Sequence, residues 1–360
     1  MNRSRRILMP VRTVAEWGGV HEWTVDAAKA LIKSGHKVTF VGQGSTFEIR
    51  AKNTGADFFR VDWSQWQKSL DTIQDSVAFD LIFSHAPEGR KLGLALSQRM
   101  NCEHVVMIHG AFHDRMYEWS NDVDAFIAAS PSLVHFAQRI GRVAPWKVTC
   151  VPNAAPDEIF ELPLVSFKDK IANGEASIVT ASRLSKDKVQ QIGAVEQAVR
   201  ILSKELPDVH WNIDVYGDGP LKGYFARRYD RLVGTIPNVS YSLRGWISPN
   251  EVPEKMNESF LTVTAGMAGM RACASGTLCL GVGARNNVGI QFGQNLRAGV
   301  WSNFGDHGIP NFTPTSIEKD LKQLCEPECY DEAVSVARKV IWDGNRQSVV
   351  DEKMLAALHC

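Results

Sequence analysis

Short apolar runs alternate along the chain with amphipathic stretches of helix length. Arg6-Ile-Leu-Met-Pro-Val11 predicts a first strand. Gly18-Gly19 follows it, and a helical period over 20–34 ends at Gly35, a residue suited to closing a helix. Further strands are expected at 37–42, 80–84, 105–109, 125–129 and 148–151. The pattern then restarts, with strands expected at 176–180, 211–216, 239–243, 260–263 and 278–282 and a helix over 191–206. After Thr313 only helical patterns remain. Continuous apolar strands separated by helices indicate parallel sheets covered on both faces. The chain therefore reads as two doubly wound, Rossmann-like α/β domains facing a cleft. The first is expected over 1–160 and the second over 161–330, with final helices over 331–360 crossing back to the first. Residues 152–174, rich in Pro, Asp and Lys, read as the linker. Open α/β sheets bind ligands outside the carboxyl ends of their strands, so functional residues are expected in turns that follow strands.

Composition narrows the classes. A chain of 360 residues exceeds one comfortable core, and 44% apolar with 22% charged residues excludes wholesale disorder. Forty basic side chains balance forty acidic ones, which argues against nucleic acid as the main partner. The seven cysteines are odd in number, and several lie in apolar runs such as Val148-Thr-Cys150-Val. They read as free thiols in a reducing compartment, and a cytoplasmic location is expected. The apolar run behind the basic start, 7–11, is too short for a signal peptide, and no run is long enough to span a membrane.

Several post-strand turns carry candidate chemistry. Gly18-Gly19 enters a helix, where backbone can approach an anion closely; the plainer reading is a tight turn. Arg183-Leu-Ser-Lys-Asp-Lys188 follows a strand and supplies a guanidinium and an ammonium suited to a diphosphate, or is a solvated loop. Gly217-Asp-Gly219 and Arg244-Gly245-Trp246 could line a nucleotide base or simply turn the chain. His109 ends a strand, where it can hydrogen-bond a sugar hydroxyl or serve structure alone. Competing patterns are weaker. Gly42-Gln-Gly44 lacks the third glycine of a dinucleotide turn, and His109-x3-His113 has no glutamate between its histidines. Cys325-x3-Cys329 has no second pair, and Asp122-Val-Asp124 opens a strand. No metal site is expected.

Taken in order, these pieces resemble the retaining nucleotide-sugar glycosyltransferases of family 4, group 1, which have the GT-B fold. The resemblance rests on Gly18-Gly19-Val-His-Glu, Leu31-Ile-Lys-Ser-Gly35-His36, His109, Asp124-Ala-Phe-Ile-Ala-Ala-Ser130 and Val151-Pro-Asn153. It continues through Ser182-Arg183-Leu-Ser-Lys-Asp-Lys188, Val215-Tyr-Gly217-Asp-Gly219-Pro220, Arg244-Gly245-Trp246 and Ala272-Cys-Ala-Ser-Gly276. The resemblance implies transfer of a hexose from a UDP- or GDP-linked sugar, with retention at the anomeric carbon and no metal or other cofactor. The acceptor would be a glycan, a lipid-linked sugar or a small molecule, with peripheral contact to the inner membrane face as a further expectation. Arg183 and Lys188 would neutralise the diphosphate, Gly18 and Gly19 would lie near phosphate and acceptor, and His109 would touch the transferring sugar. Gly217, Gly219, Arg244, Gly245, Gly266 and Arg271 would complete the donor site.

One departure bears on mechanism. The family's E-x7-E motif falls on Val263 and Arg271, and neither is acidic. Ser182 also stands where the family has glycine. Arg271, read as lying near a helix start beside Gly266 and Gly269, suits a rebuilt anion site, whereas Asn286 and Asn287 offer hydroxyl contacts. A catalytically silent GT-B subunit that binds a partner is the alternative from another class, and a sugar epimerase of the same fold is a third.

Overall fold

The two runs of strand and helix build two sheets. A computed structural model describes residues 3–13 and 17–360. In the first sheet lie β1 (Arg6–Pro10), β2 (Lys37–Gly42), β3 (Asp57–Arg60), β4 (Leu81–His85), β5 (Glu103–Ile108), β6 (Ala125–Ala128) and β7 (Val148–Cys150). They stand in the order β3-β2-β1-β4-β5-β6-β7, and every pair is parallel. The second sheet holds β8 (Glu175–Ala181), β9 (His210–Tyr216), β10 (Val239–Gly245), β11 (Leu261–Thr264), β12 (Leu278–Val282) and β13 (Asn287–Ile290), in the order β10-β9-β8-β11-β12-β13. Both are Rossmann-like, with helices in the connections between most of the strands.

Burial follows the sequence pattern. Ile7, Leu8 and Met9 of β1 and Leu81, Ile82 and Phe83 of β4 are fully buried, as central parallel strands covered on both faces must be. Two strands escape the pattern. β3 contributes only Phe58 and Phe59, both half-buried at the sheet edge. β13 is short and glycine-bearing, and it pairs antiparallel with β12, so the second sheet is mixed rather than purely parallel.

The chain divides into two compact units, Met1–Asn153 with Ser348–Cys360 and Ala154–Gln347. The boundary therefore falls before residue 160, and the segment expected to be a linker opens the second unit. Its Phe167 packs edge-to-face on Phe260 and Tyr330, and the Tyr330 hydroxyl donates to the Phe260 carbonyl at 2.7 Å. Tyr330 belongs to helix Pro327–Asn345, which is thereby held in the second unit; only the chain from Ser348 onward returns to the first. There Arg5 donates to the Leu358 carbonyl at 2.8 Å. Among the described residues no helix is long and apolar enough to cross a membrane. All seven cysteines are free thiols.

Candidate functional site

In the first unit the strand order reverses between β1 and β4, the point where such sheets leave a crevice at their carboxyl ends. Gly18 precedes helix Gly19–Lys33 there, and its carbonyl accepts the first helical bond, from the Glu22 amide, at 3.1 Å. The turn is anchored by aromatic packing. The buried His21 ring stacks on Trp17 with centroids 5.3 Å apart, and Arg50 lies over the other partner's ring at 4.1 Å from the Trp17 centroid. Burial pushes His21 down to about 4, so it is a neutral ring whose Nε2 meets Thr13 Oγ1 at 3.1 Å.

His109 follows β5 directly and is half-buried. Its Nε2 lies 3.0 Å from Nδ1 of His85, the last residue of β4. His85 is fully buried, and desolvation holds it well below the ordinary histidine range, with His109 adding to the effect. A neutral imidazole thus fixes the orientation of His109. Trp23 packs against both rings, at 5.6 Å and 5.3 Å between centroids. The loop beyond His109 is tied back through Arg90, which is buried, pairs with Asp114 at 3.0 Å and stacks over Trp119 at 3.9 Å. Asp124, part of the short acidic motif, accepts from the His104 amide at 2.8 Å and so serves the sheet.

In the second unit the reversal lies between β8 and β11. Arg183 and Lys188 occupy the turn after β8, and Lys188 immediately precedes helix Val189–Glu205. Across the reversal, β11 leads into helix Gly266–Ser275. Two helix N-termini therefore open at one switch point, each with backbone donors suited to an anion. Arg183 is exposed, with Asp187 as an acidic neighbour. Lys188 is mostly buried, and its Nζ lies 3.3 Å from Asp306 Oδ1 and 3.7 Å from Asp187 Oδ2.

The Gly217-Asp-Gly219 turn shapes this edge from behind. Gly217 has φ +131, and a β-carbon there would run into the Ser182 carbonyl oxygen. The Ser182 amide donates to the Tyr216 carbonyl at 3.0 Å, and the Leu184 amide to the Asp218 carbonyl at 3.0 Å. The glycine turn therefore supports the strand of backbone that carries Arg183. Gly245 accepts from the Gly217 amide at 2.7 Å, and Arg244 is paired with Asp214 at 2.8 Å. Val263 is fully buried within β11. Arg271 is the sixth residue of its helix rather than near the start, because the helix begins at Gly266. The side-chain oxygens of Asn286 and Asn287 accept backbone amides, from Ile309 at 3.1 Å and Gly289 at 2.9 Å.

The two residues that sequence reasoning passed over are His85 and Asp306. His85 had a readable signal, since it ends an apolar strand as His109 nearly does. Asp306 had none: it sits in Phe304-Gly-Asp-His-Gly, far from any strand end. Among the described residues no cluster of three His, Cys, Asp or Glu side chains suits a metal ion.

Comparison with known proteins bears on the fold. Residues 17–158 match the model of the family described as Glycosyltransferase Family 4, which is less than half the chain. No curated protein matches the chain by sequence. Among solved structures, a glycosyltransferase from Rickettsia africae superposes with a TM-score of 0.75 at 14% identity, over 99% of this chain and 98% of that one. Anabaena HepE in complex with UDP and glucose gives 0.68 at 14% identity, over 99% of both chains. A putative UDP-N-acetylglucosamine 2-epimerase from Listeria monocytogenes gives 0.62 at 11% identity, over 99% of this chain and 96% of that one. At such identities the likeness is one of fold, and the fold is that of the GT-B glycosyltransferases.

Proposed function

We propose that the protein is a retaining glycosyltransferase that moves a hexose from a nucleoside-diphosphate sugar to a hydroxyl acceptor. The observation that carries this reading is the pair Arg183 and Lys188 at the switch point of the second sheet, where two helices begin. The family match over 17–158 supports it from the other unit, and HepE supports UDP as the nucleotide by its bound ligands.

In the proposed reaction the bond between the sugar's C1 and the diphosphate oxygen breaks, and its electron pair leaves with the nucleoside diphosphate. The acceptor oxygen forms the new bond to C1, and the acceptor's proton passes to the departing phosphate. Arg183, Lys188 and the helix N-termini stabilise the charge that develops on the leaving group. On the first unit, His109, oriented by the neutral His85, is proposed to hydrogen-bond a sugar hydroxyl. Protein cations suffice for this leaving group, so the reaction is proposed to need no metal.

Arg183→Ala and Lys188→Ala should each weaken binding of a nucleoside diphosphate by about ten- to a hundredfold, at roughly 1.5–3 kcal/mol per charge-assisted contact. Lys188→Ala should cost more, because it also leaves the Asp306 carboxylate facing the phosphates without its cation. Calorimetry with UDP, GDP and the bare nucleosides checks this. Equal losses for nucleoside and nucleoside diphosphate would show that neither side chain reads phosphate.

A further inference from the structure

Asp306 stands at the proposed donor site for a reason that can be read from the backbone. Asn303, Phe304 and Gly305 run consecutively in the left-handed region, with φ of 52°, 54° and 92°. That conformation is costly for phenylalanine and persists only where the surroundings over-determine it. Here they do. Phe304 is buried to 2% exposure, and Gly269 leaves the space it fills, since a β-carbon there would lie 2.8 Å from Phe304 Cβ. The Gly266 amide donates to the Asn303 carbonyl at 3.1 Å, the Phe304 amide to Gly299 at 2.6 Å, and the Asn286 amide to Gly305 at 3.1 Å. The Asp306 amide itself donates back to Asn303 at 3.2 Å.

This locked loop delivers the carboxylate to the first residue of helix Gly266–Ser275. Gly266 has φ +62, and a β-carbon on it would lie 2.5 Å from Asp306 Oδ2. Among the described residues two donors reach the carboxylate, Lys188 Nζ and the Ala284 amide, both at 3.3 Å and both on Oδ1. An ionised carboxylate can accept about four hydrogen bonds, so most of its capacity is open. Of the pair, Lys188 has the flexible stem and Asp306 the rigid backbone. A ligand phosphate can draw Lys188 away, but the carboxylate stays where it is. The occupant must then bring an anion for Lys188 and neutral donors for Asp306, side by side.

We propose that Asp306 is the hydroxyl acceptor through which the second unit reads the sugar of its nucleotide-sugar donor. The assignment rests on the glycosyltransferase reading above and deepens it, because a glycosyl diphosphate carries both groups on adjacent atoms. It also supplies an acidic side chain to a site where Val263 is buried in a strand and Arg271 is cationic.

The test is calorimetry of the full chain and of its Asp306→Ala and Asp306→Asn variants with UDP, GDP, UDP-glucose and GDP-mannose, after a thermal melt of each. Asp306→Ala should weaken the bound nucleotide sugar by about tenfold, while its nucleoside diphosphate binds within about threefold of the parent value or more tightly. Asp306→Asn, which keeps the side chain's size, should shift the two ligands in the same directions. Equal losses for both ligands, or no loss for the nucleotide sugar, would overturn the assignment and leave the donor-site reading standing. A parent protein that binds none of the four would overturn both.

Discussion

Replacing Lys170 with methionine is expected to cost the second unit about 3–5 kcal/mol of stability. Lys170 is 4% exposed, and its ammonium donates to three carbonyls, of Asn257, Ser259 and Gly276, at 2.5, 2.7 and 3.1 Å. Burial pushes it down to about 7, and Asp331 opposes that shift. Two of these carbonyls, of Asn257 in the last turn and Ser259 at the C-cap, lie at the end of helix Val252–Glu258, and the third belongs to the left-handed cap of helix Gly266–Ser275. One cation therefore ties two helix ends together, and the second helix presents Gly266 at its other end. Methionine fills most of the volume but donates nothing; the Asn257 and Gly276 carbonyls lose their partner, while Ser259 keeps the Thr277 hydroxyl at 2.8 Å. Each such group costs about 1–3 kcal/mol. Chemical denaturation followed through Trp211, buried in the core of that unit, measures the loss. A change below about 1 kcal/mol would mean that water or a rearranged backbone satisfies the carbonyls equally well.

Acidification should unfold the first unit before the second. His21, His85 and His104 are all buried there, and His104 is held by Ser84 Oγ at 2.7 Å from its Nε2. Desolvation lowers His21 and His104 to about 4 and His85 well below its ordinary value. In the unfolded chain each would titrate near 6.5. Between those values the unfolded state binds protons that the folded state refuses. The stability these neutral rings contribute is therefore complete above about pH 6.5 and is lost as pH falls toward 4. By about pH 4 the loss is on the order of 3 kcal/mol per ring, so His21 and His104 together remove about 6 kcal/mol there. That is comparable to the whole stability of an ordinary domain. Hydrogen exchange at pH 7 and pH 4.5 resolves the two units. Protection lost first from β4 and β5 is the expected result; loss confined to β8 and β11 would contradict it.

The parts of this molecule that were legible in the sequence are those set by local pattern. Central strands such as β1 and β12 are continuous apolar runs, and glycine or a cap marks the helix that follows. β3 and β13 were not legible, because an edge strand buries little and a glycine-bearing strand carries few side chains. The linker was misread for a related reason. Polar residues at 152–174 look like a connection, but Phe167 and Lys170 among them are core residues whose partners lie far along the chain at Phe260, Tyr330 and Gly276.

The candidate site divides in the same way. His109, Arg183 and Lys188 sit in turns after strands, where the architecture of any doubly wound sheet places ligand contacts. Gly217 and Gly219 were legible as special backbone, but their partner, the Ser182–Leu184 carbonyls, could not be named without the fold. Asp306 was hidden because its position depends on a tertiary loop. Three left-handed residues, one of them the buried Phe304, bring it to Lys188 across 118 residues of chain.

If the carboxyl edge of the second sheet binds a nucleoside-diphosphate sugar, as proposed, hydrogen exchange with and without UDP-glucose and GDP-mannose will reveal it. One of the two should slow exchange at 182–190, at the start of helix Gly266–Ser275 and at 303–307, with a smaller effect at β9 and β10, and Lys188→Ala should abolish that protection. Binding that protects none of these segments, or that survives Lys188→Ala unchanged, would contradict the account.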